Sequence, residues 1–304
     1  MGLSWVLFLG QSAVKWNGAV FCGPSERDTH GPFCAIFEAL NCYEKGISLM
    51  LIDSHAHLDM KEFDRDREEV LERAIKGGLT HIVTVGIDLD SSLFALDLAR
   101  KHDFIYSTTG YHPHNADECD SRALDALAAM ASESKVVAWG EIGLDFYRGY
   151  SSHEGQIKKF LRQLEIADAL NLPVIIHDRE AHSDVLKILK KIGKRERRGV
   201  MHCFSGDMDL ARALIKLGYF ISIPGTVTYK KAAQLKEVAA TLPLECLLVE
   251  TDAPFLAPIP KRGKRNEPLF VAFTAQEIAR LRGIEFDKVA FQTSKNAKSL
   301  FGLP

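Results

Sequence analysis

From Met50 to Pro304, short β-branched runs alternate with amphipathic stretches, and no other feature limits the fold as tightly. Candidate strands occupy 51–55, 80–86, 104–109, 136–140, 173–177, 199–203, 218–223 and 246–250. Helical stretches separate them. In 64–76, Val70, Leu71, Ala74 and Ile75 make one apolar face among charges, and Gly77-Gly78 stops the helix. Residues 152–170 and 228–241 read the same way. Residues 268–283 form a helix with Pro268 in its first turn, and a last helix near 286–300 ends the chain. Apolar strands, each followed by a helix, imply a parallel sheet with a covered outer face. Eight such units predict an α/β fold, a single-domain (β/α)8 TIM barrel over 50–304. The competing topology is an open doubly wound sheet. The Gly-rich phosphate turn expected after its first strand is absent.

Residues 1–49 break this pattern, with few charges and three of the six cysteines. They are expected to be a poorly ordered extension outside the fold, with Met50 the natural beginning of the domain. The apolar opening Met1–Gly10 lacks a basic flank and a clean cleavage site, which leaves a poor signal peptide as the lesser alternative, and it is too short to span a bilayer. No membrane association is therefore expected. The chain is 46% hydrophobic and 26% charged, enough to bury a full core. A net charge of -2 provides no general attraction for nucleic acid, so any such contact must come from local patches. Cys22, Cys34, Cys42, Cys119, Cys203 and Cys246 form no CxxC pair, which suits a reducing, cytoplasmic setting.

The chemistry gathers where strands end. His55 and His57 finish the first strand one residue apart, so an extended backbone points both imidazoles to one face. Glu141 follows strand four and His177 ends strand five. His202 lies at the end of strand six, and Asp252 follows strand eight. Active sites of this barrel sit at the C-terminal ends of its strands, so these residues share one rim. Four imidazoles and two carboxylates exceed the three protein ligands of a catalytic zinc. They suit two divalent cations about 3.5–4 Å apart, with Glu141 as the bridge. Nitrogen and oxygen ligands without sulfur admit Mg²⁺, Mn²⁺ or Zn²⁺. Cys203, next to His202, is expected to point away from the metals.

The linked motifs resemble those of the TatD-like metal-dependent deoxyribonucleases over essentially all of 50–304. They are Asp53-Ser54-His55-Ala56-His57-Leu58-Asp59, Gly110-Tyr111-His112-Pro113-His114 and Gly140-Glu141-Ile142-Gly143-Leu144-Asp145-Phe146-Tyr147-Arg148. Ile176-His177-Asp178-Arg179, His202-Cys203-Phe204-Ser205-Gly206 and Pro224-Gly225-Thr226-Val227-Thr228-Tyr229 follow, then Glu250-Thr251-Asp252-Ala253-Pro254 and Asn266-Glu267-Pro268. The resemblance implies one metal on His55, His57, Glu141 and Asp252, and a second on Glu141, His177 and His202. It also implies a Mg²⁺-dependent nuclease, often a 3′→5′ exonuclease that prefers single strands. The extension over 1–49 departs from the family pattern.

Asp252 and Glu141 are the expected catalytic residues, with Asp252 as general base. Single-stranded DNA is the expected partner, and no obligate protein partner is implied. His112 and His114 stand in the loop after strand three, where they can reach phosphate; turn-making around Pro113 is the competing account. Phe146, Tyr147, Arg148 and Tyr150 can stack on and clamp unpaired bases, or simply pack their loop. His153 opens the next helix and can reach the rim. Lys261, Arg262, Lys264 and Arg265 follow strand eight and can neutralise phosphates. Lys187, Lys190, Lys191, Lys194, Arg195, Arg197 and Arg198 lie toward the opposite face, as a solvated helix end. Alternatives are a metal-dependent amide, ester or lactone hydrolase, such as a D-aminoacyl-tRNA deacylase, and a non-catalytic nucleic-acid-binding barrel. The hydrolases often bridge their metals through a modified lysine where this chain has Glu141.

Overall fold

The computed structural model describes residues 50–193 and 198–304. The expectations for residues 1–49 and for Lys194, Arg195 and Arg197 lie outside the described residues. Eight strands form one parallel sheet in sequential order: β1 (Leu51–Ala56), β2 (Leu79–Thr84), β3 (Ile105–Thr109), β4 (Val136–Asp145), β5 (Val174–Arg179), β6 (Gly199–Met201), β7 (Tyr219–Ile223) and β8 (Leu247–Val249). The helices are α1 (Arg67–Lys76), α2 (Leu89–Lys101), α3 (Ser121–Met130), α4 (His153–Ala169), α5 (His182–Ile192), α6 (Met208–Lys216), α7 (Ala233–Thr241), α8 (Val271–Arg282) and α9 (Phe286–Phe301). The sheet curls until β1 meets the segment after β8. There the His57 N–H donates to the Ala253 carbonyl at 2.8 Å and the Asp252 N–H to the His55 carbonyl at 2.9 Å. The Ser54 hydroxyl adds a bond to the Val249 carbonyl at 2.9 Å. The expected barrel is what forms. Among the described residues, no helix is long and apolar enough to cross a membrane.

Local chemistry explains where the helices start. Asp88 accepts the Ser91 N–H and completes a capping box at α2, while Ser152 and Asp207 cap α4 and α6. On α1, Val70, Leu71 and Ala74 are buried as expected, but Ile75 stands at the edge of the apolar face and is 38% exposed. Two packed layers result. Leu51, Ile82, Ile105 and Trp139 face the helices, and the Trp139 indole N–H is satisfied by Gln163 Oε1 at 3.2 Å. Ile52, Val83, Ile175, Val200 and Leu248 form a second cluster with Leu300, Phe301 and Leu303 from the end of the chain. Burying one such side chain is worth about 1.5–3 kcal/mol.

One boundary difference matters for the site. The fourth strand was expected to stop at residue 140, yet β4 continues to Asp145. Gly143 permits this: its φ is +143°, and a Cβ there would collide with the His177 carbonyl on β5. β4 and β5 therefore stay paired from Ile142 opposite Ile176 to Asp145 opposite Arg179. The extra turn of strand carries Glu141 and Asp145 along the rim.

Candidate metal centre

Each of the six side chains read as ligands lies on the C-terminal rim, and together they form two clusters that share Glu141. On one side, His55 Nε2 and His57 Nε2 are 3.2 Å apart. Both lie 3.4–3.6 Å from Glu141 Oε2 and 3.4–3.7 Å from Asp252 Oδ1. On the other side, Glu141 Oε1 is 2.6 Å from His177 Nδ1 and 2.8 Å from His202 Nε2. His112 Nε2 joins this second cluster, 3.3 Å from Glu141 Oε1 and 3.4 Å from His177 Nδ1. His112 was expected to touch substrate, and here it stands where a ligand can stand. The His55 and His202 rings stack across the divide with centroids 3.9 Å apart.

These spacings fit cations. Ligands around a tetrahedral ion at about 2.1 Å stand roughly 3.4 Å from one another, and the first cluster is built on that scale. The orientation of His57 adds a second argument. Its Nδ1–H donates to the Val85 carbonyl at 3.2 Å, which leaves the Nε2 lone pair aimed at His55, Glu141 and Asp252. Buried lone pairs that converge on one point need a positive charge between them.

The local field shows the same demand. Burial opposes a charge on His57, yet the Asp252 and Glu141 carboxylates outweigh it and push the imidazole up to about 9. His202 is likewise buried and is raised well above its usual range by Glu141 and Glu250. Burial lowers His55, helped by the charge of His202, and holds His112 down at about 4. Glu141 is fully buried, but the charges of His202 and His112 and bonds from His112 and His177 keep it well below the carboxylate range. Asp252 is also depressed despite burial, first by its bond to His57.

Several residues of the sequence motifs, beyond the candidate ligands, support the site. Asp145 Oδ2 accepts His177 Nε2 at 3.2 Å and His114 Nε2 at 2.7 Å, while its Oδ1 accepts the N–H groups of Tyr147 and Arg148. Glu250 lies 3.4 Å behind His202 Nδ1 and accepts the Cys203 N–H at 2.6 Å. Asp53 takes the Thr251 N–H and hydroxyl, and burial raises its own carboxyl well above the ordinary range. Asn266 donates to the carbonyls of Thr251 and Phe255, at 2.8 and 2.7 Å, so it clamps the turn that presents Asp252. Spacing held a signal for Asp145, four residues beyond Glu141 on one strand face. Nothing local marked Asn266.

The remaining expected contacts divide. Tyr147 is 60% exposed and Tyr150 66% exposed at the rim, and Arg148 lies beside the Tyr147 ring. Arg262 covers the Tyr229 ring at 4.6 Å. His153 stacks on Phe146 with centroids 3.9 Å apart instead of turning to the clusters. Arg265 is committed elsewhere, bonded to Asp66 at 2.6 Å and to Glu267 at 3.3 Å. The Cys203 thiol takes part in none of the ligand clusters, and burial pushes it well above its usual range. Lys187, Lys190 and Lys191 are exposed on α5.

The sequence profile of the TatD related DNase family matches residues 52–302. The chain belongs to this family. It is 42% identical over 252 residues to "Uncharacterized metal-dependent hydrolase YabD" of Bacillus subtilis, covering 83% of this chain and 99% of that one. It is 38% identical over 259 residues to "3'-5' ssDNA/RNA exonuclease TatD" of Erwinia amylovora, covering 83% of this chain and 100% of that one. Among solved structures, the TatD homologue YJJV of Escherichia coli K12 superposes with a TM-score of 0.80 at 34% identity, over 84% of this chain and 99% of that one. As a TatD-family protein the chain is a metal-dependent hydrolase, and its buried His, Glu and Asp clusters suit a binuclear centre.

Proposed function

We propose that the protein is a divalent-metal-dependent deoxyribonuclease that removes nucleotides from the 3′ end of single-stranded DNA. The observation that carries this is the division of Glu141, whose two oxygens face two separate clusters of ligands. His55, His57, Glu141 and Asp252 would hold one ion, and Glu141, His177 and His202 the other, with His112 beside it. Mg²⁺ is the ion proposed for activity, with Mn²⁺ or Zn²⁺ able to occupy the same ligands. When bound, two such ions acidify an attacking water and neutralise charge on phosphoryl and leaving oxygens.

The chain's own groups supply the rest. Asp252 is ionised in its setting and takes the proton of the attacking water as general base. Glu141 stays ionised and fixes the two halves relative to each other. His112 and His114 lie side by side on the second half, with ring centroids 4.3 Å apart, where phosphate oxygens would arrive. Exposed Tyr147 and Tyr150 offer ring faces to bases, and Arg148 and Arg262 offer charge to the backbone. Only unpaired bases present free faces, so this rim favours single strands. The 3′→5′ direction is supported by the relatives named for that activity.

The test uses end-labelled single- and double-stranded DNA, RNA and a charged D-aminoacyl-tRNA, each with Mg²⁺, Mn²⁺ or EDTA. Metal-dependent shortening of single-stranded DNA from its 3′ end is expected, and it should be lost in Asp252→Ala and Glu141→Ala. Full activity in both variants would sink the mechanism. Deacylation without shortening would move the assignment to carbonyl chemistry.

A further inference from the structure

Arg179 closes β5 two residues beyond His177, and strand alternation sends both side chains to the same face. It stands opposite Asp145 on β4, and its carbonyl accepts the Phe146 N–H at 3.0 Å. The guanidinium lies on the exposed Tyr147 ring, 4.1 Å from the centroid. The cation therefore stands against the loop after β4, on the side of the centre that carries His177.

Several other arginines are committed to carboxylates, whereas Arg148 and Arg262, like Arg179, lie on ring faces. Arg73 and Arg265 hold Glu267 and Asp66, Arg100 holds Asp97 and Glu133, and Arg280 holds Glu277. Among the described residues, no carboxylate pairs with Arg179, and a ring face holds it in place instead. Stacking uses the flat face of a guanidinium and leaves its in-plane N–H donors free. Those donors match two oxygens of a phosphate. The stack is also tied to the centre. Asp145 accepts the Tyr147 N–H with one oxygen and bonds to His177 with the other.

We propose that Arg179, backed by the Tyr147 ring, is a phosphate clamp that receives one backbone phosphate of the substrate beside the His177–His202 half of the centre. This rests on the phosphodiester reading of the site and gives a role to a residue that the sequence shows only as part of a motif.

The test is a coupling cycle on binding, read in EDTA by fluorescence anisotropy so that no cleavage intervenes. Single-stranded oligonucleotides carry a neutral methylphosphonate at the first, second or third linkage from the 3′ end, or none. Wild type is compared with Arg179→Ala, Arg179→Gln and Arg179→Lys, each checked for an unchanged melting temperature. Arg179→Ala and Arg179→Gln should each weaken the all-phosphate strand about tenfold and lower the salt slope by about one. On the one methylphosphonate strand that lacks the clamped charge, these changes should cost no further affinity. Arg179→Lys should recover only part of the loss, because a point charge cannot fork.

Equal losses on every methylphosphonate strand, or no loss on the all-phosphate strand, overturn the clamp. The two readings fail separately. Shortening of DNA by wild type without this coupling removes the clamp and leaves the nuclease. Coupling without any shortening does the reverse.

Discussion

The main chain positions the half of the centre formed by His55, His57 and Asp252. The Asp252 N–H donates to His55 and the His57 N–H to Ala253, the same bonds that close the barrel. Side-chain carboxylates position the other half. Asp145 orients His177, and Glu250 stands behind His202. The first half is thus part of the fold, whereas the second can be adjusted by single side-chain changes that leave the sheet intact.

Glu141→Gln should have the largest effect, because both halves use this carboxylate. Losing several kcal/mol of charge stabilisation lowers turnover by about 10³-fold or more. Metal content measured on the purified variant should fall at both halves, and retention of two tight ions would contradict the shared bridge. Asp145→Asn should separate the halves. Removing the carboxylate behind a ligating histidine typically costs about 10–100-fold in metal affinity. Titration calorimetry should show one site weakened and the other unchanged, whereas equal weakening would erase the distinction between them.

Chelation should lower the melting temperature of wild type. A cation present at about 100 times its dissociation constant adds roughly 2.7 kcal/mol to stability, and Glu141→Gln should lose most of that increment. Asn266→Ala tests the main-chain half. It leaves the Thr251 and Phe255 carbonyls without their donor, at a cost of about 1–3 kcal/mol in chemical denaturation. The first-half ion should loosen with it.

Arg265→Ala should have the smallest effect, about 1 kcal/mol or less, since its ion pairs are partly exposed. Hydrogen bonding to Arg265 holds Asp66 below the ordinary carboxylate range. That stability is present above the unfolded value near pH 4 and is lost as pH falls through the lower folded value. The difference between Arg265→Ala and wild type in acid melts should therefore shrink below about pH 4. Metal affinity should not follow it.

The six candidate ligands could be located because each sits at a strand end, and strand ends can be read from local apolar runs. The pair His55 and His57 needs only an extended backbone. Asp145 and Glu250 were passed over because their role depends on register: Gly143 lets β4 run on beside β5 until Asp145 meets Arg179. Arg265 looked like a rim cation because charge counts in a loop reveal nothing about partners distant in sequence. Asp66, at the start of α1, takes it. The stacking of His153 on Phe146 was not legible for a similar reason, since it arises when the loop after β4 folds back onto α4.

By itself the sequence determined the alternation of strand and helix, the barrel, and which residue types gather at its rim. Those depend on periodicity and on interactions between residues near one another along the chain. Tertiary structure alone decided how Glu141 divides its oxygens, which carboxylates stand behind the histidines and which arginines lie on rings instead of carboxylates. These depend on register and on bonds between distant segments, such as Asn266 with Thr251 and Arg179 with Tyr147. No local pattern encodes such pairings, because they exist only once the sheet has closed.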